Sequence, residues 1–575
     1  MWILFDDARP DGARPRLYTE PVGRIVAHRM EEVRPALAAL REAVSAGKHT
    51  AGYLAYEAGH AFDPNLANSF RGDGGPLLDF GLFEGWSEPD LAALLHDPAG
   101  GFVSAPHPRM LERDYVAAVE QVREHLFAGD YYQANLTFGN DVRALGNPLA
   151  IYARLRRGSR AGWGGVLVSD DRTLVSLSPE QFFTIRNGII EVRPMKGTAP
   201  RHANADDDRA EAEALASDEK QRAENLMIVD LMRNDLARLS ETGSVEVPEL
   251  FKVEHYPTVH QMVSRITARL RPGVTAVDAL ETIFPCGSVT GAPKIAAIQA
   301  LRSFEPEPRG AYTGSMGWIE PGGDASFNVL IRTLEWRKDA TVARLGLGSG
   351  LVVDSKPRDE WAESLLKGEF VRGATQPFDL IETMRFDPSE GIVELERHLE
   401  RMRTSAIELD FKFDRHAARN ELQAATFGRK ERAMVRLLLS KTGSMAIQVK
   451  PFEEPAETPV KVAIRPLPVA PDDFRLRHKT TDRRFYDKAR QEDGAYETIF
   501  VGPDGKLTEG SRTSIFVDRD GLLVTPKAGS LMPGILRASL IAEGKAVEWE
   551  LTPDDLKNGF YVGNIVRGLI PAKLV

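Results

Sequence analysis

The sequence predicts a chain of mixed α/β and α+β class, a large layered part rich in antiparallel sheet followed by a second domain of different pattern. Three observations carry this. The 575 residues exceed what one simple core organises, and at about one domain per 150 residues two to four are expected. Short apolar runs punctuated by Gly, Asp and Pro recur up to about residue 375. At 371–380 "VRGATQPFDL" has the composition of a linker, and a new pattern of one helix and several strands begins beyond it. The expected domains are therefore 1–375 and 376–575.

In chain order, "DYVAAVEQVREHLFAGDYYQANL" predicts a helix burying Val116, Val119, Val122 and Leu126, stopped by "AGD". "GGVLVSDDRTLVSLS" and "QFFTIRNGIIEVRP" read as strands. The acidic "APRHANADDDRAEAEALASDEK" reads as an exposed segment. It leads into a second helix, "RAENLMIVDLMRNDLARL", with Leu226, Val229, Leu231, Met232 and Leu236 on its apolar face and Glu224 and Asp235 along its length. "TGSMGWIE" and "ATVARLGLGSGLVVDS" are further strands, and "HLERMRTSAIEL" opens the second domain as a helix. There is no internal repeat and no low-complexity tract.

Composition narrows the function. The formal charge of −10 argues against nucleic acid as a partner, so a small anion would be held by a few local Arg and Lys side chains. No apolar run approaches the roughly 18 residues of a membrane span, and "MWILFDDARP" has no basic region of a secretory signal. The single cysteine, Cys286, allows no intramolecular disulfide and no Cys-rich metal site, which fits a reducing cytoplasm. It sits in "FPCGSVTGAPK", a setting for a small buried residue, and the chain starts Met-Trp, so no glutamine-hydrolysing cysteine is expected.

"SLSPEQFF", "EVRPMKGTAP" and the pair "KQRAEN" and "DEWAES" could meet in one cleft. Two helical carboxylates facing one pocket can hold Mg²⁺, a hard cation that takes few protein oxygens. In the order "SPE", "RPMKGTAPR", "RAENLMIVDLMRNDL", "GSVTGAPK", "AYTGSMGW", "NVLIRTL", "GSGLVVDS", "EWAE", residues 110–370 resemble the chorismate-utilising enzyme family, which includes anthranilate, isochorismate, salicylate and aminodeoxychorismate synthases. "GYLAYEAGHAFDP" resembles it more loosely. The resemblance implies Mg²⁺ at Glu224 and Glu363, with Glu360 close by, gripping the ring carboxylate of chorismate. It implies further that Arg332, Tyr312 and the backbone of Gly348, Ser349 and Gly350 position carboxylates, while Thr290 and Gly291 line the pocket. Arg332 suits that task because its planar fork makes bidentate carboxylate contacts.

Lys196 discriminates within the family. Members that add a nucleophile directly at ring C2 typically carry alanine in this Gly-Thr motif, whereas aminodeoxychorismate synthases resemble this chain in carrying lysine. The implied route has the Lys196 amine attack C2 and expel the C4 hydroxyl; ammonia then enters at C4 and displaces the lysine. Glu180 would protonate the leaving hydroxyl. Two positions depart from the family: Gln261 stands where it often has histidine, with His260 one place earlier, and Gln221 where it often has an acid. The missing glutaminase signature implies free ammonia or a separate glutamine amidotransferase subunit as nitrogen source.

From residue 378, "HLERMRTSA", "RLRHKTTDRRFYDKAR", "GAYETIFVGPDGKLTEGSRTSIFV", "LLVTPKAGSLMPGILRASL" and "YVGNIVRGLIPAKL" resemble fold-type IV pyridoxal-phosphate enzymes, including aminodeoxychorismate lyase. The resemblance implies that Lys479 bears pyridoxal 5'-phosphate and shuttles protons, and that Glu509 pairs with the pyridine nitrogen. Arg401, the backbone of Ile535 and Leu536 and the side chain of Asn564 would hold the phosphate. The match lacks the family's opening strand and loop, and Ser514 replaces a common asparagine. Together the resemblances imply synthesis of 4-aminobenzoate for folate, chorismate being aminated and pyruvate then eliminated, with dimerisation through the second domain. A C-terminal amino-acid aminotransferase or a non-catalytic C-terminal module are the alternatives.

Overall fold

The computed structural model describes all residues except 256–258, 456, 528 and 530, so two positions of the "LLVTPKAGSLMPGILRASL" stretch, Ala528 and Ser530, lie outside the described residues. The chain divides into two compact units. Met1–Leu95, Ala105–Val142 and Tyr152–Ala374 form the first; His96–Ser104, Arg143–Ile151 and Thr375–Val575 form the second. The expected boundary at 375/376 assigns both short upstream segments to the first domain, whereas in the structure they group with the second.

The first unit is built on two large sheets. One runs in the order Gly291–Ala292, Gln133–Leu145, Val342–Leu351, Thr333–Arg337, Arg172–Ser178, Trp163–Val168, Trp2–Asp6, Arg16–Tyr18. The other runs Met195–Pro200, Val259–Arg269, Ile189–Val192, Gln181–Arg186, Ala325–Asn328, Ser315–Ile319, His49–Leu54, Leu78–Phe83, Gly23–Ala27. Antiparallel registers such as Ile3↔Leu167 and Gly317↔Gly52 match the antiparallel-rich expectation. Alternation turns one face of each strand inward, and Ile3, Tyr53, Leu174, Met316 and Trp318 pack into one shared core. A second core joins the other sheet to the helices Met30–Ser45, Glu219–Ala237 and Ala276–Ile283.

The helical faces shift relative to the sequence reading. Glu112–Ala128 buries Tyr115, Ala118, Val119, Val122 and Leu126 and ends on Gly129 at φ 82°, while Val116 is only half-buried. Glu219–Ala237 leaves Leu226 43% exposed and turns Asn225 and Asp235 inward instead. Both inward polar groups have partners: Ser264 Oγ donates to Asn225 Oδ1 at 2.6 Å, and Lys294 Nζ to Asp235 Oδ2 at 3.0 Å. The acidic segment is itself helical over Ala205–Ser217, because Asn204 accepts from the backbone N–H of Asp206 and Asp207 and three aspartates fill the first turn.

The second unit has a four-stranded antiparallel sheet, Gly391–Ile392, Leu380–Asp387, Ala433–Leu439, Met445–Pro451, packed against the helices Leu395–Glu408 and Arg415–Thr426. An eight-stranded sheet follows, in which Val460–Pro466 runs parallel to Glu497–Val501 and to Gly568–Leu574. Among the described residues no helix is long and apolar enough to cross a membrane.

Candidate functional site

Strand Gln133–Leu145 lies between the two glycine segments singled out in the sequence, Gly291–Ala292 and Val342–Leu351. The glycines are needed for close backbone approach. A Cβ on Gly291, whose φ is 152°, would fall 2.3 Å from the Gln133 carbonyl, and one on Gly348 would fall 2.3 Å from the Leu136 carbonyl. Ser349 Oγ hydrogen-bonds Tyr115 Oη at 2.8 Å, and the Tyr312 ring lies flat against Gly346. Thr290 is fully buried and its hydroxyl donates to the carbonyl of Cys286 at 3.1 Å, so it shapes the turn.

Lys196 stands on Met195–Pro200 where the register against Val259–Arg269 shifts between Met195 and Thr198. Such a bulge re-aims a side chain. Its backbone is held from two sides: Asn225 Nδ2 donates to the Lys196 carbonyl at 3.3 Å and Gln261 Nε2 to the Gly197 carbonyl at 2.7 Å, while Thr198 Oγ1 donates to Gln261 Oε1 at 3.0 Å. Strand alternation explains the departure at this position. Gln261 faces the lysine turn, and buried His260 faces away, bonding Asp208 Oδ1 at 2.9 Å and His255 Nδ1 at 2.7 Å. Gln221 closes on the same turn, its Oε1 lying 3.1 Å from where a Cβ on Gly197 would sit.

The Lys196 ammonium ends beside Gly350, 2.7 Å from the point a Cβ there would occupy; Asn135 Oδ1 and Gln133 Nε2 lie 2.8 and 2.9 Å from the same point. Its charge reaches Glu180, Glu224 and Glu363. Glu180 is buried, which pushes its carboxyl up to about 7 against the opposing pull of Ser288, Lys196 and Lys367. Ser288 Oγ donates to Glu180 Oε1 at 2.6 Å. A carboxyl of that pKa is half protonated at neutrality and can serve as an acid. Arg332 is half-buried at φ 51°, and its carbonyl accepts from Leu177 N–H at 3.0 Å, which ties its segment to the one carrying Glu180. Gln133, Asn135 and Ser288 were not among the residues singled out from sequence. For the first two the signal was "YYQANL", where two amides at i and i+2 fall on one face of the strand at its start.

In the second unit a cavity of about 340 Å³ gathers Lys479, Glu509, Arg401, Ile535, Leu536 and Asn564, all six residues named from sequence for one cofactor. The Lys479 carbonyl accepts from Ile381 N–H at 2.8 Å, which fixes the lysine beside strand Leu380–Asp387. Burial, helped by the charge of Arg401, pulls its amine down to about 7. Glu509 is pushed up to about 7 by burial, although Tyr486 Oη donates to it at 2.5 Å and Met532 N–H at 3.1 Å. Arg401 donates to Glu382 at 2.8 and 2.6 Å and to the Pro533 carbonyl at 2.9 Å. Asn564 Nδ2 donates to the Arg512 carbonyl at 3.1 Å. Gly534 precedes helix Ile535–Ala542 and leaves its first N–H groups to the cavity side.

A family model described as chorismate binding enzyme matches residues 3–373. The chain belongs to the chorismate-binding enzymes. A second model, amino-transferase class IV, matches residues 379–575. Aminodeoxychorismate synthase component 1 of Klebsiella aerogenes is 41% identical over 265 residues, 46% of this chain and 58% of that protein. Anthranilate synthase component 1 of Methanothermobacter marburgensis is 36% identical over 333 residues, 54% of this chain and 71% of that protein. The solved structure of anthranilate synthase component I from Streptococcus pneumoniae has a TM-score of 0.53 at 26% identity, covering 63% of this chain and 92% of that one. The chain thus spans less than two thirds of the length of the Klebsiella relative.

For this chorismate-binding chain two implied groups can be tested against the residues present. Glu360 and Glu363 lie one turn apart on helix Pro357–Leu366, and Glu224 faces them: burial first, and then their charges, raise its carboxyl. Burial also pushes Glu363 up, but Lys367 at 2.8 Å outweighs it and holds the carboxyl low. Among the described residues no three His, Cys, Asp or Glu side chains close into a ready-made metal group. The charge of Lys196 acts on both Glu224 and Glu363, and that of Lys367 on Glu363. Two repelling carboxylates still suit Mg²⁺, which keeps most of its ligands as water or substrate oxygen. The class IV amino-transferase match implies pyridoxal phosphate, and the buried near-neutral lysine, the buried acid, the arginine and the helix N-terminus fit it.

Proposed function

We propose that the chain makes 4-aminobenzoate from chorismate in two steps, one in each unit. The observation that carries this reading is Lys196, whose amine is set on a held bulge beside Gly350 within charge reach of Glu180 and the acids Glu224 and Glu363. The lysine nitrogen attacks ring C2, the C4–O bond breaks, and the Glu180 proton leaves with the hydroxyl as water. Ammonia from a separate glutamine amidotransferase subunit, or free in solution, forms the C4–N bond as the bond to Lys196 breaks, and Glu180 takes back a proton. Glu224 and Glu363 would hold Mg²⁺, which neutralises the ring carboxylate of chorismate. Arg332, Tyr312 and the Gly348–Gly350 backbone would orient the ring.

In the second unit Lys479 would carry pyridoxal phosphate, with Arg401, Asn564 and the N–H groups of Ile535 and Leu536 on its phosphate. When bound, that cofactor supplies an electron sink for the carbon losing its proton. Lys479 Nζ, near neutral in pKa, removes the proton geminal to the substrate nitrogen and returns one to the departing enolpyruvyl carbon. Glu509, held by Tyr486 and Met532, would pair with the pyridine nitrogen. The products would be 4-aminobenzoate and pyruvate, and on this reading the chain serves folate synthesis in the cytoplasm.

The test is direct. Purified protein given chorismate, Mg²⁺, ammonia and pyridoxal phosphate should release 4-aminobenzoate and pyruvate; anthranilate as the product refutes the first step. The match to the amino-transferase model favours one second reading, transamination in the C-terminal unit. A requirement for 2-oxoglutarate would select it, since elimination needs no keto-acid acceptor.

A further inference from the structure

Six arginines line the cavity of the second unit, and the acids in reach of them do not balance their charge. Arg401 pairs with Glu382, and Asp487 is shared by Arg490 at 3.4 Å and Arg483 at 3.9 Å. Arg436, exposed on strand Ala433–Leu439, and the half-buried Arg512 and Arg567 make no ion pair among the described residues. Two of the six charges are thus offset and four remain. Lys479 and Glu509, both shifted to about 7, change this balance little. Two of the four are set side by side by polar side chains beneath them. Glu497 is fully buried, and its oxygens are spent on the turn that carries Arg512, accepting from the N–H of Ser511 at 2.9 Å and of Arg512 at 3.2 Å and from Thr513 Oγ1 at 2.8 Å. Asn564 joins this turn to the next: Nδ2 donates to the Arg512 carbonyl at 3.1 Å, and Oδ1 accepts from the N–H of Val566 and of Arg567, each at 3.1 Å. The Arg512 guanidinium carbon lies 4.7 Å from the centroid of the Tyr496 ring, Nη2 donates to the Tyr496 carbonyl at 2.8 Å, and Nε is buried without a partner among the described residues. Burial, and then the charges of Arg490 and Arg567, lower the Arg512 pKa against the opposing pull of Glu497.

Crowded cations of this kind are relieved by an anion that enters between them. In the reading above Arg401, Asn564 and the N–H groups of Ile535 and Leu536 serve the cofactor phosphate, and a phosphate dianion answers about two positive charges. The excess is left for the substrate. A carboxylate suits it, because its two oxygens accept in parallel from a planar guanidinium fork and two adjacent forks can share them. We propose that Arg512 and Arg567 form the seat of a substrate carboxylate, apart from the cradle of the cofactor phosphate. This rests on the cofactor reading of the same cavity. No bond of the substrate changes at this seat: Glu497 and Asn564 fix the two turns, and the two arginines orient the substrate and select for its charge. An analogue without the carboxylate leaves both cations unanswered.

The experiment uses the full chain loaded with pyridoxal phosphate and an unreactive probe, 3-(carboxymethoxy)benzoate, which carries a ring carboxylate and an ether-linked one but no amine. Probe binding is read at saturating cofactor from the cofactor absorbance band, since an anion seated beside the cofactor changes its ionisation. Cofactor affinity is read separately from growth of that band. The variants are Arg512→Gln and Arg567→Gln; the Arg567 side chain makes no hydrogen bond among the described residues, so the second variant serves even where the first fails to fold. Each variant should bind the probe about 10- to 100-fold more weakly than wild type, with cofactor affinity within about threefold. The dimethyl ester of the probe, which lacks the charge, should not distinguish the three proteins. If wild type develops no band, the cofactor reading fails and this proposal with it. If the band forms but the probe leaves it unchanged, or binds both variants as tightly as wild type, the seat is overturned and the cofactor reading stands. Loss of cofactor affinity with unchanged probe affinity assigns the arginines to the phosphate and overturns the seat as well.

Discussion

Ser288 sets the acidity of Glu180, and removing its hydroxyl should move the pH profile of chorismate amination. Burial drives the Glu180 carboxyl up to about 7; the 2.6 Å hydrogen bond from Ser288 is the largest influence opposing it. A hydrogen bond to a charged group contributes about 1.5–3 kcal/mol, and part of it survives when the carboxyl is protonated. A net loss near 1.4 kcal/mol to the ionised form corresponds to about one pKa unit. Ser288→Ala should therefore raise the Glu180 pKa to about 8. Because the acid acts protonated, activity falls as pH rises through its pKa, and the basic limb of kcat/KM shifts up by the same unit. At pH 8 wild type would keep about a tenth of its protonated form and the variant about half, a gain of about fivefold relative to each protein's acidic plateau. The assay is the initial rate of chorismate loss with ammonia from pH 6 to 9, the ammonia concentration being corrected for its own ionisation. A basic limb that stays in place or moves down would refute Glu180 as the acid.

Gly350→Ala puts a methyl carbon within 3 Å of Lys196 Nζ, Asn135 Oδ1 and Gln133 Nε2, and a displacement of about 1 Å at a reacting amine can cost about 100-fold. The variant should fold with unchanged circular dichroism and lose chorismate turnover by about that factor; wild-type turnover would show that the lysine does not work there. Lys479→Ala, mixed with pyridoxal phosphate, should lack the cofactor absorbance band that wild type develops, and a retained band would remove the lysine from its role. Glu382 is pushed up by burial, but Arg401 and His398 outweigh this and hold the carboxyl well below its ordinary range. Its stabilisation is complete above the unfolded pKa near 4.3 and is lost as pH falls below it. Glu382→Gln leaves Arg401 without its anion, so urea unfolding at pH 7 should show a loss of about 3–5 kcal/mol and a weaker acid dependence below about pH 4; equal stability at pH 7 would contradict the pairing.

Local sequence was enough for features that depend on spacing along one element. The strand runs, the helix stop at Gly129 and the glycine segments around residues 291 and 348 all follow from alternation, capping and the need for backbone without side chains. The ordered motifs were enough to recognise the chorismate-binding family, and the six residues named for a cofactor in the second domain do share one cavity. Helix faces were less legible. Leu226 looks like core by hydrophobicity, yet Asn225 and Asp235 take inward positions because Ser264 and Lys294, distant in sequence, await them. Likewise the acidic stretch at 199–220 is helical over Ala205–Ser217 because Asn204 caps it, which charge alone conceals.

By itself the sequence determined which chemical groups are available: one lysine before a Gly-Thr pair, another in an arginine-rich stretch, and a single cysteine. Only the tertiary structure decided what those groups face, because burial and charge act through space. It brought Ser288 onto Glu180 and raised that carboxyl toward neutrality, set Lys367 and Lys196 among the acids expected to hold metal, and left the Gln133 amide without a hydrogen-bond partner among the described residues. Apart from Lys367 and Glu363, four residues apart, these separations along the chain are too long for a local pattern to report.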